Sequence, residues 1–412
     1  MTNAREPQLS PSGLPMVTPF VRLSRVHALM VAGETAMAVA LADSLFLSIS
    51  PDAARTKVIL FLAVSMAPFA VVAPFVGPVV DRMRGGHRMV VLLVGLLRAA
   101  VLIGMAFSLD SLTLFPLAFA ALILSKTYAI AKSSLVPGTI SGTEGLVDAN
   151  SKLGQVAGIT GFVVAVPSAI LQLISTQATL GLGVLVFLAA ALNAYRLPKV
   201  VTAAAAATSA EVEELHSSSV LSAALAMRVL RGVVGFMFFH LAFWLRREIA
   251  GTAWFGLAIA LSGLATLAAN FAGPHVRHRM RVEMMLLAAL IAVSIAGIGA
   301  AWYDRVVGGI LLAALVNAAA ALGRLAFEAT VQSGAPDANR GRAFARFETQ
   351  NQMAWVIGGI IPVIFSPAGW LGFAIVGFVG IAGTITFVRM GGITFRSRAV
   401  RARDRERRSH SE

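Results

Sequence analysis

Long apolar runs broken by short polar bursts fill almost the whole chain. Reading from burst to burst gives twelve segments near the roughly 20 apolar residues needed to cross a bilayer's hydrocarbon core. They lie at 28–50, 57–80, 89–108, 112–131, 153–174, 179–196, 226–245, 251–273, 282–302, 306–331, 347–365 and 369–389. The pattern predicts an all-α integral membrane protein with twelve transmembrane helices. The eleventh span opens on a polar turn, with Glu348, Gln350, Asn351 and Gln352.

Two of the bursts repeat one another. The stretch GPVVDRMRGGHR (77–88) follows the second span, and GPHVRHRMR (273–281) follows the eighth, 196 residues later. In the same order, VDANSK (147–152) and PDANRG (336–341) precede the fifth and eleventh spans, 189 residues apart. One six-helix unit duplicated in the same orientation accounts for both pairs, and its halves would be related by an axis along the membrane normal. The predicted organisation is a tail (1–27), a six-helix bundle (28–196), a polar linker (197–218), a second six-helix bundle (219–390) and a basic tail (391–412).

Charge orients the spans. With the N-terminus inside, 24 lysines and arginines fall on cytoplasmic segments and 5 on outer loops. Positive residues are retained on the cytoplasmic side, so an even number of spans with both termini inside is expected. The same rule explains the net charge of +14 without any nucleic-acid partner. Only 13% of residues are charged and 57% are hydrophobic, against about 25% charged in soluble domains. Mean hydropathy is +0.79. Arginine outnumbers lysine 29 to 5, a bias of GC-rich bacterial genomes. The expected location is therefore a bacterial plasma membrane, with lipid as a partner and the basic tail lying on anionic headgroups. The chain contains no cysteine, which excludes disulfides and thiolate metal sites. The polar first 26 residues lead us to expect no cleaved signal peptide.

The burst at 77–88 resembles the loop between helices two and three of the major facilitator superfamily. The matching residues are Gly77, Asp81, Arg82, Gly85, Gly86 and Arg88. PDANRGRAF (336–344) is similar to a stretch frequent in the efflux-type branches, and Gly33–Glu34 stands where many of these carry Gly-Asp. The fifth span has Gly154, Gly158 and Gly161, but not the Gly-Pro of many antiporters in that superfamily. The resemblance implies the two-bundle major facilitator fold. It also implies a latch in which Asp81 closes the cytoplasmic side, with Arg346 or Lys132 as partner. In the second copy Arg277 replaces Asp81, so the latch should be asymmetric.

Ionisable residues inside the spans are few, and each costs on the order of 3 kcal/mol at the bilayer centre unless it meets water or a partner. The first span holds Glu34 and Asp43, the third Arg98, and the fourth Lys126. The seventh holds Arg228 and Arg231, and the tenth Arg324 and Glu328. In the family the first, fourth, seventh and tenth helices line the cavity, and all of these but Arg98 lie on them. Glu34 has only His27 on its own helix face, so it is the candidate proton-coupling carboxylate, with Asp43 as a second. Lys126 and Arg324 are expected to form a positive face for substrate, joined by Glu328, Arg228 and Arg231. Arg324 and Glu328, four apart, can pair directly, while Arg228 and Arg231 can equally snorkel to the interface. His240 reads as a packing residue.

No phosphate-binding loop, nucleophile elbow or complete metal-ligand set occurs in the sequence. The expectation is a cofactor-free, monomeric secondary transporter rather than an enzyme, moving a small molecule by proton-coupled export. A lipid or lysolipid flippase on the same fold, and a non-transporting sensor or scaffold, remain as alternatives.

Overall fold

The computed structural model describes residues 18–41, 86–109, 111, 113–140, 145–198, 218–245, 248–334 and 340–391. Among these residues eleven α-helices follow one another. They are α1 (Pro19–Leu41), α2 (His87–Ala106), α3 (Leu114–Leu135), α4 (Leu146–Ile174), α5 (Thr176–Ala194) and α6 (Ser218–Trp244). The rest are α7 (Gly251–Arg279), α8 (Val282–Tyr303), α9 (Val306–Gly334), α10 (Arg340–Phe365) and α11 (Gly369–Arg389). Each coincides with one predicted span. The predicted second span at 57–80 lies outside the described residues, as do most of the linker and the two tails. Among the described residues, eight helices are long and apolar enough to cross a membrane.

The helices are apolar on both faces because one face meets its neighbours and the other meets lipid. In α8, Met285, Leu286, Ala289, Leu290 and Val293 are buried, while Ile291, Ile295, Ile298 and Trp302 form an exposed stripe. Helical spacing puts each set on its own side. Short breaks separate the helices. Ser175 divides α4 from α5, and its hydroxyl accepts from the Ala178 amide at 3.0 Å, capping α5.

Several helices run beyond the apolar segments that announced them. α1, α4, α6 and α10 begin seven to nine residues before the predicted spans, and α7 continues past 273 to Arg279. VDANSK therefore lies in the first turns of α4, and most of GPHVRHRMR is helical rather than loop. An apolar run marks only the hydrocarbon thickness, and a helix continues where headgroups and water solvate its side chains. Pro274 lies within α7, since one missing amide donor does not by itself end a helix whose neighbours hold it in place.

Helices α1 to α5 pack on one another, α1 against α4 and α5, and α2 against α3 and α5. A second bundle gathers α6 to α11, with α6 against α9, α10 and α11, α8 against α9 and α11, and α7 against α9. The bundles meet where α4 touches α7 and α9, and where α3 touches α10. Within the second bundle α6 and α10 approach backbone to backbone. A Cβ on Gly235 would collide with the Trp355 carbonyl, and one on Gly358 with that of Gly232. Such close crossings let dispersion hold helices together in lipid, where the hydrophobic effect supplies no driving force.

Gly235→Leu should therefore cost on the order of 1–3 kcal/mol through overpacking and lower the melting temperature in detergent. Gly256→Ala, at a position with nothing within 4 Å, should leave it unchanged. Equal melting of the two variants would contradict this account of the crossing.

Candidate functional site

The bundles are tied together at one end, the end carrying Arg22, Arg25, Arg88, Lys152 and Arg196. There α3 finishes, α4 starts, α9 finishes and α10 starts. Asn150 donates from Nδ2 to Gln332 Oε1 at 2.7 Å, and Gln332 donates from Nε2 to the Ser133 carbonyl at 3.0 Å. The Ser151 hydroxyl donates to the Asn270 carbonyl, which also accepts from Gln155 Nε2 at 3.2 Å. Asn150, Ser151, Asn270 and Gln332 are all buried. Two to three turns deeper, Lys126 Nζ of α3 donates to Glu348 Oε1 of α10 at 2.9 Å.

Around that ion pair lies a polar cavity of about 280 Å³. Its charged lining is Lys126, Lys132, Arg231, Arg324, Glu328 and Glu348. The structure thus brings together four of the five predicted substrate residues and adds two more. Arg324 and Glu328 share the cavity wall but do not pair with each other. Among the described residues the ion pairs are Lys126–Glu348 and Glu34–Arg98. Four-residue spacing makes a pair possible, but here the partners turn toward the charges of α3, α6 and α10.

Glu34 has the basic neighbour that its own helix face lacks. Arg98 of α2 reaches it at 3.4 Å, and the Ser125 hydroxyl of α3 donates to its Oε1 at 2.7 Å. The two ends of this pair differ sharply: the Arg98 side chain is 0% exposed and that of Glu34 is 44% exposed. The guanidinium lies 4.4 Å over the Phe187 ring, a favourable cation–π placement. No Arg98 side-chain nitrogen has a hydrogen-bond partner among the described residues. Its charge is therefore balanced by one carboxylate and one aromatic face. Toward the basic end, two turns from Glu34 along α1 and one turn from Ser125 along α3, His27 Nδ1 and Tyr128 Oη lie 3.0 Å apart.

The remaining candidates fall elsewhere. Arg228 is directed away from the polar cavity, donating from Nε to the Ala224 carbonyl at 3.3 Å. It lines a small groove that also includes Arg346. The two arginines of α6 are thus separated, with Arg231 in the cavity and Arg228 outside it. Gly86 precedes α2 with a φ of 69°, a left-handed conformation that favours glycine. Arg88 donates to the Tyr195 carbonyl at 3.2 Å and joins the start of α2 to the end of α5. Gly77, Asp81, Arg82, Gly85 and Asp43 lie outside the described residues. His240 is packed among Phe236, Trp244 and Phe373.

A larger cavity of about 580 Å³ lies beyond the closed end, walled by α4, α6, α7, α9 and α10. Phe162, Met237, Phe238, Phe255 and Trp355 dominate it, with Ser262, Thr266 and Asn317 as polar groups. Along α4 the change is progressive. Asn150, Ser151 and Gly154 touch α7 or α9, whereas Gly161, Phe162 and Ala165 line open space.

Two bundles joined at the basic end around a part-buried charged cluster resemble known proteins. No protein-family model matches the sequence. An uncharacterized protein of Mycobacterium leprae (strain TN) is 28% identical over 403 residues, covering 87% of this chain and 69% of the relative. One from Mycobacterium tuberculosis (strain CDC 1551 / Oshkosh) is 27% identical over the same length, covering 87% and 72%. Among solved structures, a bacterial homologue of the iron transporter ferroportin, outward-facing, matches with a TM-score of 0.70 at 16% identity, over 92% of this chain and 100% of its own. The human organic anion transporter MFSD10 matches at 0.71 with 15% identity, over 90% and 100%. The E. coli fucose:proton symporter matches at 0.68 with 13% identity, over 90% and 98%. The fold is that of the major facilitator superfamily. Among the described residues no group of three or more His, Cys, Asp or Glu is placed to hold a metal.

Arg98 and Glu348 carried no clear signal in the sequence. Arg98 lies on a helix that the major facilitator resemblance sets outside the cavity lining, and Glu348 looked like part of a polar helix start. A search for one opposite charge per intramembrane charge would have flagged both, because each needs a partner.

The asymmetry of the Glu34–Arg98 pair sets an order of stabilities. Glu34→Ala leaves a fully buried guanidinium without its counter-charge, a loss of about 3–5 kcal/mol for buried pairs. Arg98→Leu removes the buried charge itself and leaves a carboxylate with access to water, so it should cost less. Melting curves of both variants test this, and the reverse order would contradict it.

Proposed function

We propose that the chain is a secondary active transporter that moves a small molecule across the plasma membrane by alternating access, coupled to protons through Glu34, in the direction of export. The observation that carries this reading is the Glu34–Arg98 pair beside a seam whose polar contacts, among the described residues, gather at the basic end. A half-exposed carboxylate is within reach of water, and among the described residues it is the acid paired with a fully buried guanidinium. Protonating it strips Arg98 of its counter-charge in a low-dielectric bundle, which raises the energy of that arrangement by several kcal/mol. Conformations in which Arg98 reaches water or another acid then become favourable. Proton occupancy thus biases a two-state equilibrium, as coupling requires.

The seam supplies the second half of the mechanism. Two bundles rocking about a central site must break one set of end contacts and make another. Among the described residues the polar contacts at the basic end are hydrogen bonds and one ion pair, which open at modest cost when water enters. Asp43 is retained as a second proton site. Export is favoured by the likeness of PDANRGRAF to efflux-type branches. Each chain encloses its own cavities, so a monomer suffices. Lipid flipping is the second reading, favoured by α4 and α7, which wall the larger cavity and meet along the seam.

Proteoliposomes carrying a pH gradient test the proposal. Wild type should accumulate substrate against its own gradient, and Glu34→Gln should lose that accumulation by about tenfold or more while keeping exchange of substrate at equilibrium. Uphill transport by the Gln variant would overturn the role of Glu34. Scrambling of fluorescent phospholipid without flux of any soluble compound would favour the flippase.

A further inference from the structure

The polar cavity holds more positive charge than its acids balance. Four bases line it, Lys126, Lys132, Arg231 and Arg324, against two acids, Glu328 and Glu348. Lys126 and Glu348 are engaged with one another. Three cations then remain against one carboxylate, and no ion pair joins Lys132, Arg231 or Arg324 to an acid among the described residues. Lys132 is buried, at 9% exposure. Measured from the apolar spans, Arg231 stands five residues into 226–245 and Arg324 seven before the end of 306–331, about 7 and 10 Å, with Lys132 at the edge. Positive charge that exceeds the acids among the described residues of a part-buried cavity is costly without a counter-charge, and it marks a site for an anion.

The same three helices continue from this cavity into the larger, apolar one. On α6, Arg231 lines the first and Val234 the second. On α10 the corresponding residues are Asn351 and Trp355, and on α9 they are Arg324 and Asn317. Separations of three, four and seven residues keep each pair on one helix face. The two spaces are therefore stacked along one wall, about 5–10 Å apart. One end is basic, and the other is aromatic and about 580 Å³ in volume, within the range of small-molecule pockets.

We infer that the stacked cavities form one site for a small amphipathic organic anion, its head held by Arg231, Arg324 and Lys132 and its apolar body by Phe238, Phe255 and Trp355. Guanidinium forks suit a carboxylate, sulfonate or phosphate head. The head also competes with Glu348 for Lys126, so occupancy loosens the α3–α10 contact and links binding to opening of the basic end. The inference rests on the transport reading only in making this ligand the cargo; binding itself requires no gradient.

Binding of two shape-matched probes tests it, 2-naphthalenesulfonate and 2-naphthyltrimethylammonium, titrated into the full chain in phosphatidylcholine nanodiscs. The sulfonate should bind saturably at one site and at least tenfold more tightly than the cation. Arg324→Gln should weaken it about tenfold and Arg324→Lys, which keeps the charge, much less. Arg228→Gln, on α6 but facing the separate groove, should leave binding unchanged. Equal affinity for the two probes, no saturable binding of the sulfonate to the folded wild type, or equal losses in Arg228→Gln and Arg324→Gln would overturn the assignment. Gradient-driven flux of a cation together with weak sulfonate binding would overturn it while sparing the transport reading.

Discussion

The ion pair between Lys126 and Glu348 is, among the described residues, the ion pair that joins the two bundles. It lies eight to nine residues inside the ends of α3 and α10, below a collar made by Asn150, Gln332, Ser133, Ser151 and Asn270. That depth gives the pair its leverage. An exposed ion pair contributes at most about 1 kcal/mol, whereas a part-buried one facing a polar cavity must be exchanged for another partner before the helices part. The polar cavity lies where α3 and α10 are joined, and the wider apolar space lies beyond it.

A second pair, Glu34 with Arg98, obeys the same constraint within one bundle. Charge in a hydrocarbon environment needs a counter-charge, and each pair here has one member that can be relieved of it. Glu34 can take a proton, and Glu348 can be displaced from Lys126 by an anion. On the proposed reading these are the two inputs of a transporter, a proton at the first bundle and substrate at the seam. Both act on elements around α3, which supplies Ser125 to Glu34 and, at the next residue, Lys126 to Glu348. Adjacent residues on one helix turn thus touch both pairs, a short physical path by which one site can influence the other.

Much of the fold was legible because lipid imposes a simple code. Apolar runs of membrane length located eleven helices, and polar bursts located their ends to within a few turns. The repeated bursts pointed to two bundles. The helix starts were misplaced because hydropathy senses the hydrocarbon slab and not the helix, as with the first turns of α4 and α10. The site was half legible. Lys126, Arg231, Arg324 and Glu328 were found from their cost in a membrane, and the structure places them around one cavity. Their partners were not found, because pairing depends on which helix faces lie together. Arg98 meets Glu34 across α1 and α2, Glu348 meets Lys126 across the two bundles, and neither contact leaves a spacing in the sequence. Arg228 shows the converse, being chemically identical to Arg231 and three residues away, yet facing another groove.

The measurement that tests the central claim most directly is the distance between the bundles at each end, read by paired spin labels as pH and ligand are varied. Labels at Lys152 and Arg279 report the basic end, and labels at Ile174 and Ile249 the opposite end. The chain has no native cysteine to remove first. At neutral pH without ligand, the first distance should be short and the second long. Acid together with an amphipathic anion should lengthen the first and shorten the second, and Glu34→Gln should mimic the acid in part. Distances that change together, or at one end alone, would contradict a rocking transporter governed by these two ion pairs.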